Sequence, residues 1–373
     1  WTAQTGRADR LTLLVIVGPL RFTLWILAGA ASVIIVLVAI GAARHLESVR
    51  ADRRRERVQR ELGPMFSRFL ETDDSSHLAE ELRPAILRLD AAHRPVAALM
   101  TIDLMHEASS PAQTEALRSA LEKAGIVELG ERGTRRFSPW RRALACEALG
   151  TIGASRSVPV VLERLKDRRP EVRMSAVRAL GDIGSAEAVP ALGDAFLERR
   201  VAPTDVINDA LRKIGGEAGT VFERGLATTD PTVRVSSCFG LAAIAMQRPG
   251  CVWRLAERLA LDSDTRVRAA AAAALGIVGG DEVPDPLLAA AADPEVAVRR
   301  AAVTALGSFD DPASGPTLDE RTEDEDRETA IRAAEALLAL ADRTRAASEA
   351  RTRLGSSSAW AVEYARTVAE VSA

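Results

Sequence analysis

Three cysteines, four histidines and one dense acidic run are the places where this 373-residue chain could carry out chemistry. A thiol nucleophile needs a partner base, and a metal centre needs ligands at paired spacing. Cys146, Cys238 and Cys251 lack such spacing, and His45, His77, His93 and His106 are equally unpaired. Cys146 and Cys238 each follow an arginine (Arg142, Arg234) by four residues. Elsewhere that place holds Val177, Ala272 or Val303, so these cysteines read as small core residues. Cys251, in "GCVWRL", opens a helix and reads the same way. The run "EDEDRE" (residues 323–328) lacks the ordered oxygen spacing of a calcium loop and reads as a solvated turn. No phosphate loop, nucleophile elbow or dinucleotide fingerprint occurs. The expectation is a protein that is not an enzyme, with no catalytic residue, cofactor or metal and no evident small-molecule substrate.

The elements that surround these residues are helical. A chain that is 47% hydrophobic but only 4% aromatic is alanine-rich, and nothing in it suggests a β-fold. Its net charge of −3 hides an asymmetry: residues 1–60 carry ten arginines against four acids, leaving 39 basic against 48 acidic side chains in the rest. An acidic body has no electrostatic footprint for a phosphate backbone, which argues against nucleic-acid binding. Three cysteines make no disulfide framework and fit a reducing compartment.

From Phe22 to Ala43 the chain runs 22 residues without a charge. That is about 33 Å of helix against a hydrocarbon core of roughly 30 Å, so this segment is expected to span a bilayer. A cleaved signal peptide at Ala28-Gly29-Ala30 fits less well, because Arg21 and Gly18-Pro19 interrupt its apolar region. Leu11 to Leu20 is too short to span. Seven arginines follow the span (Arg44 and Arg50 to Arg60) against Arg7, Arg10 and Arg21 before it, which places the C-terminal side in the cytoplasm. Within that stem Arg53, Arg54, Arg55 and Arg57 are candidate contacts to anionic lipid or a partner.

Further on, one pattern recurs: an arginine followed seven residues later by a leucine flanked by alanine and glycine. The matches are Arg142/Leu149, Arg173/Leu180, Arg234/Leu241, Arg268/Leu275 and Arg299/Leu306. The leucines continue at 211 and at 337 or 338, a period close to 31 residues. A period of that size marks a solenoid of stacked helical hairpins. Asp230-Pro231 and Asp293-Pro294 read as first-helix starts, and Val158-Pro159 and Val189-Pro190 as second-helix starts. Gly181 and Gly184 read as the first helix's exit. Arginine and leucine seven apart lie only about 20° apart around the helix, so each arginine flanks the packing seam and can reach a turn aspartate of an adjacent repeat.

These motifs, "PEVRMSAVRALGDIG", "PTVRVSSCFGLAAIA", "TRVRAAAAAALGIVG" and "VAVRRAAVTALGSFD", resemble the HEAT family in its short, phycobiliprotein-lyase-type form, over about Pro139 to Ala373. The pattern weakens at "TDVINDALRKIG", where no arginine precedes Leu211, and at "AIRAAEALLALAD", where the register shifts. The terminal "WAVEYARTVAEV" resembles a degenerate cap. His106-Glu107 resembles one dipeptide of the iron-binding HEAT enzyme deoxyhypusine hydroxylase, a family that needs several.

Upstream of the array, Pro64 reads as a helix start with Met65, Phe66, Phe69 and Leu70 on one face, and Ser110 to Gln113 as a capping box. The segment "RRFSPWRR" sets Arg135, Arg136, Arg141 and Arg142 beside Phe137 and Trp140. It either touches lipid headgroups or an acidic partner, or opens the first repeat with Trp140 covering that repeat's open apolar face. The second is the simpler reading.

The expected architecture is an all-α solenoid of HEAT-like hairpins preceded by one transmembrane helix. Its parts are an N-terminal segment (1–21), the transmembrane helix (22–43), an arginine-rich stem (44–63), an irregular helical region of possible divergent repeats (64–136) and the array (137–373). The order is similar to that of bacterial single-pass proteins with cytoplasmic HEAT repeats. That resemblance is to an architecture and names no reaction; the expected function is a membrane-anchored scaffold or adaptor for a protein partner, in its more specific form an accessory subunit of a membrane enzyme such as a glycosyltransferase. The concave surface of the second helices is the expected contact face. The alternative is a phycobilin-lyase-like enzyme or chaperone.

Overall fold

The computed structural model describes residues 49–343, apart from 51, 70, 72–74, 91–92, 108–109 and 281–284, together with 362, 364, 365 and 367. The expected span at 22–43, the segment at 11–20 and most of the terminal cap lie outside the described residues. Among those described, no helix is long and apolar enough to cross a membrane.

The chain divides into two compact units, one ending at Ala124 and the other beginning at Gly125. Among the described residues the first holds four helices: α1 (52–69), α2 (Ser75–Arg88), α3 (Arg94–Glu107) and α4 (Pro111–Lys123). Along α1, Val58, Leu62, Phe66 and Phe69 form one buried stripe at helical spacing. This stripe runs on both sides of Pro64, so the helix passes through that residue instead of starting there. Pro64 itself lies on the exposed side, where the carbonyl it deprives of a donor can meet water. Ser110 caps α4, its hydroxyl accepting from the Gln113 amide at 3.2 Å, while the Gln113 side chain donates to the Phe69 carbonyl at 3.3 Å.

The second unit is a stack of helical hairpins. It opens with α5 (Ile126–Gly133), which lies ahead of residue 137 because Gly130 and Gly133 pack it closely against Leu149 and Ala145 of the next helix. Six hairpins follow, each with a first and a second helix: α6 (Pro139–Ile152) and α7 (Val158–Arg164), α8 (Pro170–Ile183) and α9 (Val189–Leu197), and α10 (Thr204–Ile214) and α11 (Gly219–Leu226). They continue as α12 (Pro231–Ala243) and α13 (Cys251–Leu261), α14 (Thr265–Val278) and α15 (Asp285–Ala290), and α16 (Val296–Leu306) and α17 (Ser314–Arg321), before a last first helix, α18 (Arg327–Arg343). Leu149, Leu180, Leu211, Leu241, Leu275, Leu306 and Leu337 are all buried, so the register in α18 falls on Leu337.

Successive first helices approach backbone to backbone. A Cβ on Gly150 would stand 2.6 Å from the Ala179 Cα, and one on Gly181 would stand 2.6 Å from the Ala210 Cα. Gly276 and Ala305 repeat the contact at 2.8 Å. Gly181 is therefore an interior packing residue and not part of the helix exit. The exit belongs to Gly184, whose φ of 71° is one that only glycine adopts without cost. Asp230-Pro231 does start α12, but α16 begins at Val296, two residues beyond Pro294, because α6, α8, α12, α14 and α16 all start three residues before their arginine and Asp293 stands further upstream of Arg299 than Asp230 does of Arg234.

Candidate functional site

Asp293 is engaged by an arginine. In four hairpins the first helix carries an arginine whose Nε and Nη2 donate to both oxygens of an aspartate in the turn that precedes the next repeat. Arg142 holds Asp167 at 2.8 and 2.8 Å, and Arg234 holds Asp262 at 2.8 and 2.9 Å. Arg268 holds Asp293 at 3.0 and 3.1 Å, and Arg299 holds Asp324 at 3.0 and 3.1 Å. The third nitrogen, Nη1, donates backward to carbonyls of the turn before its own helix: Arg136 and Phe137 for Arg142, Thr228 and Thr229 for Arg234, Asp262 for Arg268, and Asp293 and Pro294 for Arg299. One planar guanidinium thus ties two successive inter-repeat turns together.

The electrostatics follow from this geometry. Hydrogen bonds from Arg142 hold the Asp167 carboxyl below the usual range. At Asp293 and Asp324 burial pushes the carboxyl up, and the bonds from Arg268 and Arg299, with a backbone amide for each, outweigh it. Sequence reasoning expects a turn aspartate as each arginine's partner but names none of the four, and gives Asp293 a different role at a helix start. Their signal was present, since Asp262, Asp293 and Asp324 are spaced by the repeat period.

Arg173 departs from this pattern. Its Nε donates at 2.7 Å to the carbonyl of Val201, which occupies the aspartate's place, and its Nη1 donates at 3.1 Å to the Asp167 carbonyl. In the next helix the ladder position is Thr204, and Asp230 is reached by Arg199 at 2.8 Å.

The remaining candidate residues divide clearly. Cys146 and Cys238 are fully buried, and burial pushes each thiol up to about 12, far from thiolate chemistry. Burial also raises Cys251, whose Sγ donates to the Leu241 carbonyl at 3.6 Å. His45 lies outside the described residues, and His77 and His106 fall in α2 and α3. His93 pairs with Asp90, a bond that draws the Asp90 carboxyl down. Among the described residues no group of three or more histidine, cysteine or acidic side chains could hold a metal. In the acidic run, Asp324 completes a rung, while Asp326 accepts from the Thr329 amide at 2.8 Å and hydroxyl at 2.7 Å at the start of α18. That run therefore works as structure as well as a solvated turn.

On α1, Arg53, Arg54, Arg55 and Arg57 are exposed. Arg57 pairs with Glu61 at 3.1 Å and lies 3.9 Å from Asp90, and Arg55 lies 3.9 Å from Asp103 across the groove between α1 and α3. Trp140 does not cover the first repeat: it is 69% exposed, Phe137 beside it is fully exposed, and Arg135 and Arg136 are exposed as well. Leu149 and its neighbours are closed off by α5 instead, which leaves the aromatic pair free. Trp253 on α13 is 54% exposed beneath the Arg254 guanidinium, 3.8 Å from the ring centre.

A stack of two-helix repeats joined by an arginine–aspartate ladder defines an α-solenoid. The HEAT-repeat model matches residues 126–212, 221–298 and 284–369, more than half of the chain, and the chain belongs to that family. No curated protein is similar enough in sequence to match. Among solved structures the chain is similar to an engineered protein, at 21% identity over 77% of this chain and 86% of that one, with a TM-score of 0.37. It is similar to the complex of CpcE and CpcF of phycocyanin lyase from Nostoc sp. PCC7120, at 20% identity over 64% and 94%, TM-score 0.32. It is also similar to human deoxyhypusine hydroxylase in complex with glycerol, at 20% identity over 79% and 95%, TM-score 0.28. All three TM-scores lie below 0.5, and nothing about the site is taken from them.

Proposed function

We propose that this HEAT-repeat chain is a non-enzymatic scaffold or adaptor for a protein partner, held at the membrane by residues 22–43 with the repeats on the cytoplasmic side. In its more specific form the partner is a membrane enzyme, such as a glycosyltransferase, to which the chain is an accessory subunit. The contact face is that of the second helices. The observation that carries this reading is Trp253 on α13, half-exposed and stacked under Arg254. An aromatic anchor with a cation over its face is the composition of an interface hot spot. The thiols and ladder acids of the same unit, by contrast, are turned inward and spent on holding the repeats together.

The experiment is capture from detergent-solubilised cells with the tagged full chain, beside W253A/R254A. The expected result is a stoichiometric protein retained by the parent and lost by the variant, whose helix content is unchanged. A bound pigment, or equal capture by both chains, overturns the reading. An alkaline phosphatase fused to the C-terminus should be inactive, and an active fusion rejects the cytoplasmic placement.

A further inference from the structure

We infer that the edge formed by the turns before α6 and α8 docks on an anionic phospholipid surface. The Arg142 guanidinium touches both turns at once, donating to the Arg136 and Phe137 carbonyls at 3.0 and 2.9 Å and to the Asp167 carboxylate at 2.8 Å. The two turns are therefore neighbours in space, though a whole hairpin separates them in sequence.

Together they present six exposed cations: Arg135, Arg136, Arg141, Lys166, Arg168 and Arg169. None of the six forms an ion pair with a described residue. Against them stand Asp167, already held by Arg142, Glu163, which pairs with Arg164 at 3.1 Å, and the exposed Glu171. Between the cations stand Phe137, fully exposed, and Trp140 at 69%.

Charge complementarity selects the occupant. Beyond residue 60 the chain is acidic, so an anionic surface repels most of it and attracts this edge. Cations alone would suit an acidic protein equally well. Two bare aromatic rings set among arginines are instead the composition that inserts at the headgroup level of a bilayer, the rings entering the acyl boundary while the guanidinium groups stay with the phosphates. The edge is independent of Trp253 and of any protein partner, so it fails or stands apart from the scaffold reading.

The test uses the full chain with Trp140 as its one tryptophan (W1F, W25F, W253F and W360F), mixed with vesicles of acyl-brominated phosphatidylcholine, with or without phosphatidylserine. Trp140 emission should be quenched on the phosphatidylserine vesicles and not on phosphatidylcholine alone. Adding R135Q/R136Q/R168Q/R169Q should abolish the Trp140 quenching that phosphatidylserine brings, since each cation near such a surface contributes several-fold to the edge's docking while residues 22–43 hold the chain on either vesicle. These side chains lie outside the ladder, and circular dichroism checks that the helices persist. High salt acting on the unmutated edge should abolish the quenching in the same way. Equal quenching on both vesicles, no quenching on either, or loss of a captured acidic protein without any lipid quenching would each overturn the inference.

Discussion

Two stretches of the ladder solve one problem differently. From α12 to α18, Arg234, Arg268 and Arg299 each grip a carboxylate with two hydrogen bonds, and the pairs at the ends of that run are nearly sealed from water. Between α8 and α10 the carboxylate is missing, and Arg173 must use the carbonyl of Val201. To present that carbonyl the turn takes left-handed backbone at Arg199 (φ 51°) and at Val201 (φ 77°), the latter a costly conformation for a β-branched residue. Nearby, the buried rings of Phe196 and Phe222 meet edge to face, with centroids 5.8 Å apart. The seam of small residues is unchanged across the break, since Gly181 meets Ala210 as closely as Gly150 meets Ala179. Stacking is thus set by the seam and the apolar core, and the ladder fixes how the turns are joined.

The most direct way to break this comparison is to remove one arginine from each stretch. Arg234→Ala leaves the buried Asp262 carboxylate with only the Asp264 amide at 3.0 Å and the more distant Arg258 guanidinium at 4.0 Å, and should cost up to about 3–5 kcal/mol. Arg173→Ala strands carbonyls and no charge, so about 1.5–3 kcal/mol is expected. Urea unfolding of the two variants measures both, and equal losses would mean that the carboxylate adds nothing to the rung.

Acid tests the same difference. The carboxyls of Asp167, Asp293 and Asp324 are depressed in the folded state, and that of Asp326 is lowered to about 2 by the Thr329 hydroxyl and Arg300. Below the ordinary carboxylate range the unfolded chain binds more protons than the folded one. The contribution of these groups is therefore complete above about pH 5 and is lost as the pH falls through their folded values. The urea midpoint should be flat from neutrality to about pH 5 and then decline. A midpoint that rose on acidification would contradict the ladder's charge state.

Gly181→Ala probes the seam, where the new Cβ would meet backbone that no rotamer change can move. A loss of about 1–3 kcal/mol is expected on thermal or urea unfolding. No loss would show that the helices can separate there freely.

Much of this was legible in the sequence, and the misses have physical causes. The period of 31 and the buried leucines come straight from hydrophobic periodicity, and the arginines stand out by recurrence. Asp293 was misread as a helix cap because Asp-Pro has that meaning locally, whereas its use here depends on Arg268, a full hairpin earlier in the chain. Gly181 was misread as an exit because a glycine needed for close approach looks, in one dimension, like a glycine needed for positive φ. Trp140 was assigned to cover α6 because nothing in the sequence shows that α5 already does so.

The smallest expected effects lie in the irregular turn. Val201→Gly removes the steric cost of φ 77° while keeping the carbonyl that Arg173 uses, and it gives back part of the gain as unfolded-state entropy. The net should be a stabilisation of up to about 1 kcal/mol, because a left-handed non-glycine residue costs about 1–3, while glycine's extra freedom takes back about 0.5–1 and the lost packing of the half-buried valine side chain offsets about as much again. Arg199→Ala should do still less. Its pair with Asp230 is half open to solvent, and such pairs are worth about 0.2–1 kcal/mol. Asp230 would also keep its second bond, from the Thr232 amide at 2.8 Å, so α12 stays capped. If Arg199→Ala instead destabilised the chain as much as Arg234→Ala, then Arg199 would be a full rung reached from an unusual backbone, and the two stretches would differ in route but not in strength.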